Sequence, residues 1–413
     1  MYMTCQLSNA YAFNKGEQRL YLLVDVFADQ APEEERRRTA LNLAIVIDRS
    51  GSMSGAKLDN AKRAAAEVVR LLEDGDYVSV IGFDNNGRVY APAQRVDSAT
   101  RPEILDRVKR VTCGGGTDIL RALSAGYEQL QTFAGPDTIS RMLLLSDGQD
   151  ESGNTVDVLA SQASKFGGSL MAITSLGIGD DFDEEMMIAI AERSGGASHY
   201  IKGPGEIVDI FRLELSRLFA VVARWPRLQI QVSRNVSVTQ VLNENYRKRV
   251  VGDLAEVQLL DMSSGEQQFV LVELLAVPWP SGEFRIARVT LEYQPPESGD
   301  LQRLDEDVLI TYTDQPDHVR AGRNLEVLRR REELNVASVL TKTMLELKKG
   351  KVRAEEAAEK LDNAHATLVR YGASPLTEEL SKTILEVGKG RKDAGTIKSA
   401  TYLATNIRSP RRS

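Results

Sequence analysis

The sequence predicts an α/β fold: a doubly wound, mostly parallel sheet inserted in a β-sandwich and followed by a C-terminal helical region. Three observations carry this. Between residues 37 and 222, apolar strand-like runs alternate with amphipathic helical stretches joined by short polar connections. After Trp225 the pattern turns β-rich, and two more strands stand ahead of the alternating region. From residue 316 onward, apolar residues recur at helical spacing. The expected parts are 1–36 (first strands of the sandwich), 37–222 (the α/β domain), 223–315 (the rest of the sandwich) and 316–413 (a helical bundle and basic tail).

Composition sets the bounds. A chain of 413 residues has room for about two or three domains. With 27% charged and 42% hydrophobic residues it reads as an ordinary globular protein, and a net charge of −7 gives no reason to expect nucleic acid. Cys5 and Cys113 are too few and too far apart for a disulfide framework or a thiolate metal site, and Cys113 is expected to be a small buried residue. The first residues lack a charged segment followed by an apolar one, and no run approaches the roughly 18 apolar residues of a membrane span. A cytoplasmic protein is therefore expected. Oligomeric state is left open.

The elements follow in order. Residues 2–9 and 19–28 read as strands; in the second, Leu20, Leu22, Val24 and Val26 form an aliphatic face opposite a mixed one of Tyr21, Leu23, Asp25 and Phe27. A charged linker spans 30–39. The run 41–47 is a buried strand. A helix from Gly55 places Leu58, Ala61, Ala65, Val68 and Leu72 on one face. Residues 77–83 are a strand, and Asp84-Asn85-Asn86-Gly87 predicts a type I′ hairpin turn into an edge strand at 87–94, where Pro92 is tolerated. Helices are expected at 99–111, 117–133, 155–166, 183–194 and 205–222, and strands at 139–146, 169–178 and 199–202. The β-rich segments are 225–233, 235–242, 254–261, 267–277, 282–294 and 303–313. Residues 2–28 can complete their sandwich, which makes the α/β domain an insertion. Domain termini often lie close together, so such insertions are tolerated. Further on, Ala354, Ala358, Leu361, His365 and Leu368 make a helical stripe, Ser374-Pro375 starts another helix, and Gly350, Gly388 and Gly390 punctuate the rest.

The chemistry gathers at strand ends. Leu41 to Ile47 runs into Asp48-Arg49-Ser50-Gly51-Ser52, a carboxylate and two alternating hydroxyls at the carboxyl end of a strand, where open α/β sheets bind ligands. Cys113-Gly114-Gly115-Gly116-Thr117-Asp118 delivers a threonine to a helix start, and Leu143-Leu144-Leu145-Ser146-Asp147-Gly148 ends a second apolar strand on aspartate and glycine. Oxygen donors of this kind suit Mg²⁺, Mn²⁺ or Ca²⁺ better than zinc or copper. A Ser/Asp-rich turn before a helix cap is the alternative reading of the first motif alone. The ordered set D-x-S-x-S, T, D-G resembles the metal-ion-dependent adhesion site of von Willebrand factor A domains, over residues 37–222. The layout as a whole is similar to inter-α-trypsin-inhibitor heavy chains and their bacterial relatives.

The resemblance implies roles. Ser50 and Ser52 match hydroxyls that bind the metal directly. Thr117 matches a threonine that binds directly or through water, and Asp48 and Asp147 match carboxylates that usually act through water. A metal so held, Mg²⁺ first, keeps much of its charge and a replaceable water, and an Asp or Glu of a partner protein can take that place. The expected function is a non-enzymatic, metal-dependent adaptor or scaffold. Arg49, Asp118, Asp150 and Asp180, with Glu151 and Asp181, are expected on the surrounding rim. The rivals are a metal-dependent hydrolase and an extracellular adhesion protein; the first lacks a general base at useful spacing, since His199, His318 and His365 sit in unrelated contexts. Asp180, Asp181, Asp183, Glu184 and Glu185 lie at or just before a helix start and read as first-turn helix acids rather than a second metal site.

Overall fold

The computed structural model describes residues 1–30, 39–135, 137–147, 149–169, 171–244, 246–296, 300–372, 375–389 and 394–408. Most of the expected 30–39 linker, Gly148, Ser374, Gly390 and the tail beyond Arg408 lie outside them. The chain forms two compact units: Met1–Glu33 with Val222–Ser413, and Glu34–Val221.

The chain opens with β1 (Tyr2–Leu7), β2 (Tyr11–Phe13) and β3 (Gln18–Phe27). The second unit then runs β4 (Ala40–Asp48), α1 (Ala56–Leu71), β5 (Tyr77–Phe83), β6 (Gly87–Arg95), α2 (Thr100–Lys109), α3 (Ile119–Gln131), β7 (Thr138–Ser146), α4 (Val156–Gly168), β8 (Ala172–Ile178), α5 (Glu184–Ser194), β9 (Ser198–Ile201) and α6 (Ile207–Phe219). Its six-stranded sheet has the order β6-β5-β4-β7-β8-β9. All neighbours are parallel except the β5–β6 hairpin. Apart from Asn42, strand β4 is apolar up to Asp48, because both faces are covered. Leu43, Ile45 and Ile47 share a core with Leu58, Ala61 and Val68 of α1 and with Phe211 and Leu215 of α6. Val46 faces the other way, toward α3: a Cβ on Gly126 would lie 3.0 Å from its methyl and 2.6 Å from Met142 Cε, so a glycine lets this helix come close.

The hairpin departs from expectation at its turn. Neither Asn86 nor Gly87 has positive φ, so the turn is not type I′. Asp84 organises it instead: its carboxylate accepts the Asn86 N–H at 2.9 Å, and its own N–H donates to the Asn86 carbonyl at 3.1 Å. A side chain that mimics backbone removes the need for positive φ.

The remaining elements belong to the first unit: β10 (Val221–Val232), β11 (Val236–Val241), β12 (Arg247–Val251), β13 (Leu254–Gln258), β14 (Met262–Ser263), β15 (Gln267–Ala276), β16 (Gly282–Gln294), β17 (Gln302–Thr313), α7 (Pro316–Ala321), α8 (Leu325–Lys348), α9 (Ala354–Val369), α10 (Pro375–Gly388) and α11 (Ala394–Arg408). One sheet has the order β1-β3-β15-β11; the other runs β12-β13-β10-β16-β17-β2, with β14 beside β10. Residues 1–28 thus complete sheets built mainly by residues 221–313, with β3 antiparallel to β15 over ten residue pairs. The aliphatic face of β3 is wholly buried with Leu228, Ile230, Val289 and Leu291 of the facing sheet. Its mixed face takes a helix: Leu23, with Phe269 and Leu271 of β15, packs on Val327 and Leu334 of α8. The four long helices α8 to α11 close a core of their own, to which α9 contributes Ala357, Leu361 and Leu368. Strand β12 was not legible, because all five of its residues, Arg-Lys-Arg-Val-Val, are exposed and show no alternation. Among the described residues, no helix is long and apolar enough to cross a membrane.

Candidate functional site

Strands β4 and β7 lie side by side and end together, bringing Asp48 and Asp147 to one place from positions far apart in sequence. Both are fully buried. Asp48 Oδ1 accepts the Ser50 N–H at 2.8 Å, and Oδ2 accepts the Ser146 hydroxyl at 2.5 Å. Asp48 is thus a buried tie between the two strand ends. Burial pushes its carboxyl up to about 6, with nearby Asp147 adding to the effect and the hydrogen bonds from Ser146 and Ser50 opposing it.

The hydroxyls form a chain. Ser50 Oγ lies 3.0 Å from Ser52 Oγ, which donates to Asp147 Oδ1 at 2.8 Å. The other Asp147 oxygen pairs with the Lys57 ammonium, whose side chain keeps 28% exposure. Thr117 is buried and enters from a third loop. That loop is drawn in where the Gly51 N–H donates to the Gly115 carbonyl at 3.1 Å, and Glu151 N–H caps the Thr117 carbonyl at 2.8 Å.

The donor chemistry fits a hard divalent cation. It offers neutral hydroxyls, two carboxylates and nothing soft, at a spot where Asp147 already holds one positive group. Ser50, Ser52 and Thr117 are the side chains that would hold the ion, with Asp48 and Asp147 behind them. Among the described residues, no three His, Cys, Asp or Glu side chains gather as a metal cage.

The rim is less free than the sequence implies. Arg49 turns inward, with 14% side-chain exposure, onto Asp84. Asp118 is the N-cap of α3, accepting the Arg121 N–H at 3.0 Å and pairing with the Arg121 side chain. Helix α3 therefore starts at Ile119, not at Thr117. Asp150 accepts N–H groups of Ile119 and Asn154, both at 2.9 Å. Asp180 is exposed and accepts the Tyr200 hydroxyl; Asp181 and Glu151 are also exposed. Asp183 caps α5, with Glu184 and Glu185 in its first turn. Cys113 is exposed rather than buried, because its loop runs over the surface.

Sequence reasoning missed Asp84. Its only local signal is its place at the end of β5, beside β4. It also missed the partner of His199, whose Nε2 lies 3.0 Å from Glu214 Oε1, while Glu214 accepts the Thr174 hydroxyl at 2.9 Å. His199 lies on β9 and is engaged there, outside the strand-end loops.

The family model for the von Willebrand factor type A domain matches residues 42–211. This segment is a von Willebrand factor type A domain. Such domains commonly mediate protein–protein interaction and often carry a divalent metal at the corresponding site. The chain is 29% identical over 289 residues to an uncharacterized Synechocystis protein, covering 68% of this chain and 67% of that one. It is 25% identical to the E3 ubiquitin-protein ligase WAV3 of Arabidopsis thaliana (63% of this chain, 34% of the ligase). It is 28% identical to mouse inter-alpha-trypsin inhibitor heavy chain H2 (39% of this chain, 18% of that one). The chain therefore spans two thirds of the first relative and about a third or less of the other two. A solved structure described as von Willebrand factor type A from Catenulispora acidiphila superposes over 100% of this chain and 97% of its own, with TM-score 0.76 and 17% identity, so the fold is shared across both units.

Proposed function

We propose that the von Willebrand factor A domain binds a protein partner through a divalent cation, Mg²⁺ by preference, with Mn²⁺ or Ca²⁺ as substitutes. Ser50, Ser52 and Thr117 hold the ion, and a carboxylate of the partner completes its coordination. The observation that carries this reading is the hydrogen-bonded run Ser50–Ser52–Asp147 at the shared end of β4 and β7. It keeps the two serine hydroxyls in register before any ion arrives, with Asp147 behind them. Asp147 and Asp48 hold these hydroxyls in place. Because the inner donors are neutral, the cation stays electrophilic enough to take an anionic ligand.

We read the chain as a binding module of an intracellular adaptor rather than as a hydrolase. A hydrolase would use the ion to activate water; His199, engaged by Glu214 on β9 outside the strand-end loops, is not placed to assist it. The exposed acids Glu151, Asp180 and Asp181 favour a partner whose coordinating carboxylate is flanked by neutral or basic residues.

Ser52→Ala tests this most directly: Ser52 is itself exposed, and because its loss also removes a hydrogen bond to the buried Asp147, thermal unfolding of the variant is read alongside. Calorimetry should show one Mg²⁺ per wild-type chain and no measurable binding in the variant. Equal affinity in the two overturns the assignment. Proteins captured from lysate in Mg²⁺ and lost on chelation are then the partners to identify.

A further inference from the structure

Thr117 is carried by a loop poorly able to fix itself. Residues 114–116 are all glycine, which gives the backbone great freedom and no side chain to anchor. The loop is ordered by what touches it.

Two residues, Arg49 and Asp84, supply most of those contacts, through both side chain and backbone. Arg49 Nη2 pairs with Asp84 Oδ2 at 2.5 Å, and both side chains are largely withdrawn from water, at 14% and 12% exposure. Arg49 Nη1 donates to the Thr112 carbonyl at 3.1 Å. The Arg49 carbonyl accepts the Gly114 N–H at 2.6 Å. Asp84 Oδ2 also accepts the Gly115 N–H at 3.3 Å, and its carbonyl accepts the Asp118 N–H at 2.9 Å. The contacts thus bracket Thr117 on both sides. Gly114 is pressed against the pair: a Cβ there would lie 2.2 Å from Asp84 Oδ2 and 2.8 Å from Arg49 Cζ. Glycine at this position is the condition for the ion pair to reach the loop.

We propose that Arg49 and Asp84 are positioning residues: a buried ion-pair clamp, joining the ends of β4 and β5, that sets Thr117 at the cation site. The inference rests on the cation reading above and adds two residues that do not touch the ion. Arginine suits the role because its planar fork serves Asp84 and the Thr112 carbonyl at once, which a lysine ammonium cannot do as well. Asp84 matters as a charge, since an amide would leave the guanidinium buried without its counter-ion.

The test uses the full chain with Asp84→Asn and Arg49→Lys, read by amide exchange, Mg²⁺ calorimetry and thermal unfolding. Exchange at Gly114, Gly115 and Asp118 should quicken on the order of tenfold in both variants. Mg²⁺ affinity should fall roughly 10- to 100-fold for Asp84→Asn, as for other residues that orient metal ligands, and by less for Arg49→Lys. Arg49→Lys should unfold near the wild-type midpoint, so it decides the matter if Asp84→Asn does not fold. Unchanged exchange overturns the clamp. Quickened exchange with unchanged Mg²⁺ affinity also overturns it, leaving the pair merely structural. A wild-type chain that binds no Mg²⁺ sinks the cation reading itself, and this inference with it.

Discussion

In the parallel unit, Asp48, Asp84 and Asp147 are all withdrawn from water, at 0%, 8% and 0% exposure. In the sandwich, Asp305 and Asp307 of β17 lie open on the outer face, paired with Arg303 and Arg288 at 2.9 and 2.7 Å. The difference follows from sheet type. Parallel strands covered on both faces carry these carboxylates at or just beyond their carboxyl ends, and adjacent strands end together. An antiparallel sheet with one face in water spreads its charges along every second residue. Concentrated, buried carboxylates depend on one another and can hold a ligand. Dispersed, hydrated pairs do neither.

This contrast can be broken at three places. The largest effect belongs to the apolar layering of the first unit. Leu334 joins α8 to the outer face of the β3–β15 pair and is 5% exposed. Leu334→Ala should lower stability by about 2–5 kcal/mol in denaturant titrations. Mg²⁺ calorimetry should be unaffected. A loss well below that range would mean that α8 is not part of the unit's core.

The next concerns the buried charge of Asp48. Its folded pKa of about 6 lies above its ordinary value of 3.8, so the fold disfavours the ionised form. Stability is therefore full below the ordinary value and is lost as pH rises toward and past 6. The loss amounts to about 3 kcal/mol at the top of that window. In chelator at pH 8, Asp48→Asn should be more stable than wild type by up to that amount, and the advantage should vanish near pH 4. In Mg²⁺ the wild type should gain and the variant should not. A variant less stable than wild type at pH 8 in chelator would show that Asp48 is held chiefly by its hydrogen bonds.

The smallest effect is expected on the sandwich face. Arg288 holds the Asp307 carboxyl below its ordinary range, chiefly through their hydrogen bond, yet the group is fully solvated. Exposed pairs of this kind contribute little. Asp307→Ala should leave the denaturation midpoint unchanged within error at low and high salt. A clear fall would mean that charge on this face is as coupled as it is at the strand ends.

Much of this was legible in the chain. The apolar run before Asp48 and the one before Asp147 mark themselves as buried parallel strands, because only a strand covered on both faces can be apolar at successive positions. The alternation in β3 gave both the aliphatic face and the face that α8 covers. Strand β12 and the hairpin turn were harder. An exposed edge strand carries no hydrophobic period, and Asn-Gly is compatible with more than one turn once Asp84 supplies the bonds. The Cys113 loop reads as buried by residue type alone, and only its course over the surface decides otherwise.

The sequence by itself determined which oxygen-bearing residues stand at strand ends, since strand periods and the turn residues after them are local properties. It could not determine how those residues divide their bonds. Whether Arg49 reaches outward or inward depends on Asp84, which lies one strand over and 35 residues away. Whether Asp48 meets water or Ser146 depends on the register of β4 against β7, 98 residues apart. A side chain's partner is set by whatever the fold places within about 3 Å of it, and that choice belongs to tertiary structure.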